Sequence, residues 1–340
     1  MDLLTHFTVG AVIGELVAGK KIGKKALVLG GATQCIPDID VVASLWLTPA
    51  DNLIAHRGIT HSFFFSIFVA LAFALVARRW SKQSLSFWYW FSFFGVNILF
   101  HLFIDAFNAY GTGWFEPFDH RRISFHTLYV ADPLFTVWSL TGVVFLFLLR
   151  RDHPLRVSCA RAALALTGLY LMFALYNKTL VDRDVVHNFK IQRIDQNRYF
   201  ITPTPFNSML WFIVAEADSG YYVGYRSAYD KTAPIDYTYF TRNNSLLKIA
   251  HDQEEVSKLI HFSEGYYTVE QHSDTLVFNA LRFGQIHGWK QTNNPFTFHY
   301  YLMPEIDNTL VMQRGRMAGW DELTRKAYWA RMKGIATDNK

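Results

Sequence analysis

Four short groups of residues in the first third of the sequence have the types and spacing to do chemistry. Asp2-x-x-Thr5-His6 opens the chain, and Pro37-Asp38-Ile39-Asp40 follows. Next come His56-Arg57-Gly58-Ile59-Thr60-His61-Ser62 and then His101-x-x-x-Asp105. Imidazole and carboxylate are the usual ligands of zinc and neighbouring divalent metals in hydrolytic sites. Asp2 with His6, and His101 with Asp105, are four residues apart, so each pair shares a helix face and one helix can offer two ligands. Asp38 and Asp40 are suited to bridge metals, or to supply one ligand and one base. Plainer readings stand beside these. His6 also reads as a packed or interfacial histidine, and Asp38 and Asp40 as caps for a helix that breaks at Pro37. Thr60 reads equally as a cap for a helix starting at His61, Arg121-Arg122 as an interfacial pair, and Asp132 as a cap with Pro133 at the first helical position.

The elements that carry these groups are apolar. Leu3–Ala18, Ala26–Leu47, Phe63–Ala77, Phe87–Phe107, Leu134–Leu149 and Ala162–Tyr176 are hydrophobic stretches, and Phe87–Phe107 has the full length of a membrane crossing. Ionisable groups in such segments are costly, which makes them functional candidates. Residues 1–177 hold only 24 charged side chains, against 37 in the remaining 163 positions. The first half is therefore expected to be an all-α, multi-span membrane domain of about six helices, residues 1–177. Lys20, Lys21, Lys24 and Lys25, then Arg78, Arg79 and Lys82, then Arg150, Arg151, Arg156 and Arg161 fall in alternate loops. With six spans these loops share one face, the cytoplasmic one. All four His/Asp groups then fall on the opposite face, as does everything after Tyr176. The N-terminus lacks a basic region and a small-residue cleavage pattern, so the first helix is expected to stay in the mature protein.

From about residue 183 the pattern changes. Val185–Ile194, Tyr199–Thr204, Leu210–Ala217, Tyr221–Ser227, Tyr237–Thr241, Tyr266–Gln271, Leu276–Phe283 and Phe296–Leu302 are β-branched and aromatic runs broken by Gly, Pro and Asn. Asp252–Ile260 and Asp321–Met332 read as helices. Residues 178–340 are thus expected to form a β-rich α+β soluble domain, extracytoplasmic in the six-span arrangement.

Other classes are excluded by composition. Thirty Phe, 17 Tyr and 10 Trp argue against disorder, and two cysteines against a disulfide scaffold. There is no Gly-rich phosphate loop, no Gly-x-Ser-x-Gly and no Cys-x-x-Cys. Neither half interleaves a basic run with aromatics, so no nucleic-acid partner is expected. His120, His126 and His153 are set aside as lacking an acidic neighbour at helical spacing, and Cys35 reads as a packed thiol.

At the His/Asp groups, with Tyr110-Gly111-Thr112 and Asp132-Pro133 after them, the sequence resembles the YdjM-like family of bacterial inner-membrane proteins assigned as metal-dependent hydrolases. The resemblance covers residues 1–150, and the 203–211 stretch looks like the extension of longer members. The family is distantly similar to zinc-dependent phospholipases C and single-strand nucleases, whose helical sites hold zinc on His and Asp. The resemblance implies His6, Asp40, His61, His101 and Asp105 as ligands, with Asp38 and His56 bridging or behind them. This chain lacks the N-terminal tryptophan ligand and several later histidines of those enzymes, which points to one or two ions. The expected activity is hydrolysis of a phosphoester in a membrane lipid or amphiphile by metal-activated water, with Asp38 as base or bridge and Arg57 neutralising phosphate. The alternatives are a metal-dependent lipid amidase or acyl hydrolase, or a membrane regulator whose metal site is structural.

Overall fold

The computed structural model describes residues 1–81, 85–231, 234–302 and 319–335. Lys82, one of the basic loop residues above, lies outside them. The chain divides into two compact units. The first is Met1–Leu45, Ala55–Phe173 and Pro205–Asn207; the second is Trp46–Ile54, Ala174–Thr204 and Ser208–Lys340.

Asp2 starts the first helix by accepting a hydrogen bond from the Thr5 amide at 3.0 Å, and α1 runs Leu3–Ile22 until Gly23 turns the chain at φ +63. Helix α2 (Lys25–Gln34) returns along it. The approach is close because glycines face each other: a Cβ on Gly14 would lie 2.2 Å from the Ala26 carbonyl oxygen, and one on Gly30 2.2 Å from that of Gly10. Small residues serve the same end in other membrane helix pairs. Helix α2 breaks ahead of Pro37, and a 3₁₀ segment, Pro37–Leu45, leaves at 55° to it. Then follow α3 (Pro49–Ala55), a 3₁₀ turn (Ile59–His61), α4 (Phe63–Trp80), α5 (Phe87–Asp105), α6 (Pro133–Leu148) and α7 (Leu155–Gln192). Ser62, Ser86 and Asp132 cap α4, α5 and α6, and Pro133 occupies the first position of α6.

Polar contacts fix the direction of the later helices. Thr5 meets Thr136, and Thr8 meets Ser139 at 2.8 Å, so α6 runs parallel to α1. At the far end Arg156 holds Glu15 in a buried ion pair at 2.7 Å, and Tyr170 returns to Asp132 at 2.7 Å, so α7 runs antiparallel to α6.

All six expected apolar segments are helical, but fewer than six have the length of a span. Among the described residues, helices α1, α4, α5 and α7 are long and apolar enough to cross, and the bent pair of α2 with Pro37–Leu45 is a broken span or a re-entrant loop, a fifth only when counted as one span. Helix α6 has 16 residues, about 24 Å, against a hydrocarbon core of about 30 Å.

The second unit contains two antiparallel sheets. Strands β1 (Arg198–Pro203), β2 (Leu210–Ala217), β3 (Gly220–Ser227) and β4 (Tyr237–Thr241) form a meander. Strands β5 (Tyr267–His272), β6 (Thr275–Gln285) and β7 (Phe296–Tyr301) form the second sheet. Helices α8 (Gln253–Phe262) and α9 (Glu322–Met332) match the two expected from sequence. Strand β2 is buried on both faces. Phe212 and Val214 pack with Leu281, Phe296 and Tyr328, while Trp211, Ile213 and Ala215 pack against Val181, Val185 and Phe189 of α7. Those last three residues correct one expectation: the run Val185–Ile194 is helix rather than strand up to Gln192. Val181, Val185 and Phe189 recur every four residues, which is a helical period.

Candidate metal site

The cluster is assembled by four segments of the first unit: the start of α1, the 3₁₀ segment after α2, the loop before α4, and the last turn of α5. His101 and Asp105 lie one turn apart on α5, and both are fully buried. His61 Nε2 lies 3.1 Å from His101 Nε2. It is also 3.5 Å from Asp38 Oδ1 and 3.5 Å from Asp105 Oδ2. His101 Nε2 stands 3.7 Å from Asp38 Oδ1 and 3.8 Å from Asp105 Oδ2. One ligand atom from each of Asp38, His61, His101 and Asp105 falls within 4.8 Å of the others.

Hydrogen bonding on the far sides of the rings decides what faces inward. His101 Nδ1 is 2.6 Å from the Gln34 carbonyl oxygen, which can only accept, so Nδ1 carries the proton and Nε2 a lone pair. The Thr60 hydroxyl donates to Asp40 Oδ2 at 3.1 Å and therefore accepts from His61 Nδ1 at 3.0 Å. His61 Nε2 is then a lone pair as well. Burial pushes the His61 imidazole down to about 4, so it is neutral at pH 7. Two lone pairs thus face each other beside two carboxylate oxygens, and among the described residues Asp105 Oδ2 accepts no hydrogen bond, although the Arg57 guanidinium stands 3.3 Å from it. Four acceptors converging without a donor among them are a set that can hold a metal ion. Histidines whose outer nitrogen donates to a carbonyl or hydroxyl are the usual arrangement behind a metal.

The remaining expected site residues surround this group. His6 stacks on His101 with ring centroids 3.8 Å apart, and its Nε2 lies 3.0 Å from Asp105 Oδ1. The Met1 amino group also meets Asp105. Asp40 and His56 form a pair of their own at 3.1 Å, outside the group of four. Asp40 also accepts the Arg57 amide at 2.7 Å, so it holds the loop that carries His61. Arg57 is buried, with Nη2 3.3 Å from Asp105 Oδ2 and Nη1 2.7 Å from Asn108 Oδ1. Its φ of +60 places a non-glycine residue in the left-handed region. Its amide on Asp40 and its carbonyl on the Gly113 amide at 2.9 Å hold that conformation.

Asp132 behaves as its plainer reading suggested, and Asp2 proves to be a cap as well. Asp2 caps α1 and Asp132 caps α6. The reading of His120 needs correction: Glu116 stands four residues before it and pairs with it at 2.9 Å, in an exposed position away from the cluster. Asn108 was missed entirely, since a neutral amide in an aromatic stretch carries no metal or acid–base signature.

The YdjM inner membrane protein family model matches residues 1–181. Inner membrane protein YbcI of Escherichia coli (strain K12) is 31% identical over 123 residues, 35% of this chain and 69% of that protein. The uncharacterized protein YfhP of Bacillus subtilis (strain 168) is 27% identical over 152 residues, 42% of this chain and 45% of that protein. No solved structure matches. The family match takes in every residue of the cluster and ends before β1, and with it the chain belongs to the YdjM inner membrane protein family.

Proposed function

We propose that this chain is a multi-pass inner-membrane hydrolase that depends on a divalent metal, zinc as one or two ions, and cleaves a phosphoester in a lipid or other amphiphile. The observation that carries the reading is the buried convergence of His61 Nε2, His101 Nε2, Asp38 Oδ1 and Asp105 Oδ2 without a donor between them. A mixed nitrogen and oxygen set suits zinc and its neighbours. When bound, the cation supplies Lewis acidity that polarises a phosphoryl oxygen and lowers the pKa of water.

The chain's own groups would do the rest. Asp38 has 19% of its side chain exposed while the other three members have none, so Asp38 is where substrate and water arrive and is the base that takes the water's proton. Arg57 neutralises phosphate charge, and among the described residues its Nε has no hydrogen-bond partner. Asp40, through Thr60 and the Arg57 amide, keeps His61 and Arg57 in place. The basic ends of α1 and α4 mark the cytoplasmic face, so the cluster and residues 178–340 are assigned to the opposite side.

The test is metal analysis of the purified full chain together with turnover of phosphodiester lipids, repeated for His101→Ala and Asp105→Asn. Bound metal and turnover, both lost in the variants, support the reading. A metal-free protein whose variants turn over like the parent would overturn it.

A further inference from the structure

We propose that the groove between the start of α1 and the bend after α2 holds one hydrocarbon chain of the substrate, with the polar head at Asp38; this rests on the reading of the cluster as a hydrolytic site. The groove has a volume of about 820 Å³, within the range of small-molecule sites. Leu4, Phe7, Ala32, Ile36 and Ile39 line it with hydrocarbon, and Asp38 is its single ionisable side chain apart from the Cys35 thiol.

Exposure ties the groove to the cluster. His61, His101 and Asp105 are fully buried, and only Asp38, at 19%, reaches the outside. The surface through which it does so is this groove, so a molecule approaching the cluster there has one polar contact and otherwise meets apolar wall. Water-soluble phosphoesters gain nothing from such a wall. An amphiphile gains contact along its chain, and Leu4 and Ile39, 51% and 57% exposed, form a rim a chain can enter sideways from the bilayer.

The test uses the full chain in phosphatidylcholine nanodiscs and a dodecyl phosphate carrying a diazirine in its tail. Photolysis is expected to label the segments 3–7 and 32–39. Ala32 is exposed within the groove, so Ala32→Trp fills it from the wall and should lower that labelling about tenfold. An unchanged thermal unfolding midpoint of Ala32→Trp in the nanodisc shows that the variant is folded. Leu75→Trp, at an outward position of α4, should label as the parent does. Label spread evenly over the outer faces of α4 and α5, or undiminished in Ala32→Trp, overturns the proposal. Because labelling reads occupancy, a groove that labels in a protein without metal or turnover defeats the hydrolase reading alone. An active protein that labels elsewhere defeats the groove alone.

Discussion

Asp38 and Asp40 are two residues apart, yet they serve different neighbours. They lie on a 3₁₀ segment, which turns once every three residues, so positions two apart point in divergent directions. Asp38 turns to His61 and His101, and Asp40 to His56, the Arg57 amide and Thr60. The sequence reveals that this run matters, because carboxylates are expensive in an apolar stretch, but it cannot divide the roles without the helix type. If Asp40 acts by holding His61, Asp40→Asn should weaken metal binding about 10–100-fold without abolishing it, as measured by competition with a calibrated chelator. Arg57→Lys makes a complementary prediction. The lysine cannot reproduce the two-point hold on Asp105 and Asn108, so phosphoester turnover should fall while bound metal is retained. Equal loss of both would place Arg57 in support of the fold instead.

At the scale of elements, the pairing of α1 with α2 sets the cluster's geometry, since it puts Gln34 behind His101. Gly14→Leu drives a side chain into the Ala26 carbonyl and should destabilise the protein by about 3 kcal/mol or more. Gly168→Leu on α7 meets nothing within 4 Å and should cost less than about 0.5 kcal/mol. Thermal unfolding in detergent compares the two. Glu15 and Arg156 supply a second check, because removing one partner of a buried pair leaves the other charge stranded. Glu15→Ala should cost about 3–5 kcal/mol, most of it recovered when Arg156→Met is added. Asp132 was legible as the cap of α6, whereas the cap expected at Thr60 falls at Ser62, with α4 starting at Phe63. The run Val185–Ile194 was misread because its β-branched and aromatic residues satisfy strand composition, while the spacing of Val181, Val185 and Phe189 that packs α7 on β2 begins outside that window. The polar ladder of Thr5, Thr8, Thr136 and Ser139 was also illegible, since neutral hydroxyls at helical spacing acquire meaning only when a second helix brings their partners.

For the whole molecule, the charge contrast between the halves follows from two kinds of packing. The first unit buries its clustered acids and histidines among helices with exposed apolar flanks, and the second buries strand β2 on both faces. Helices α1 and α6 run parallel and the first part of α7 runs against them, which is the arrangement the proposed sidedness requires. An alkaline phosphatase fused after residue 340 should therefore be active in the periplasm of an expressing cell, whereas a cytoplasmic reporter at that position that fluoresces would reverse the sidedness. The central claim is that a metal is held between the 3₁₀ segment after α2, the loop before α4 and the last turn of α5. Its most direct test is elemental analysis of the full chain after loading with divalent metals and extensive washing, beside His101→Ala and Asp105→Asn. One or two tightly held ions in the parent, and none in folded variants, is the result the geometry predicts. A parent that retains no ion, or variants that retain as much as the parent, would contradict it.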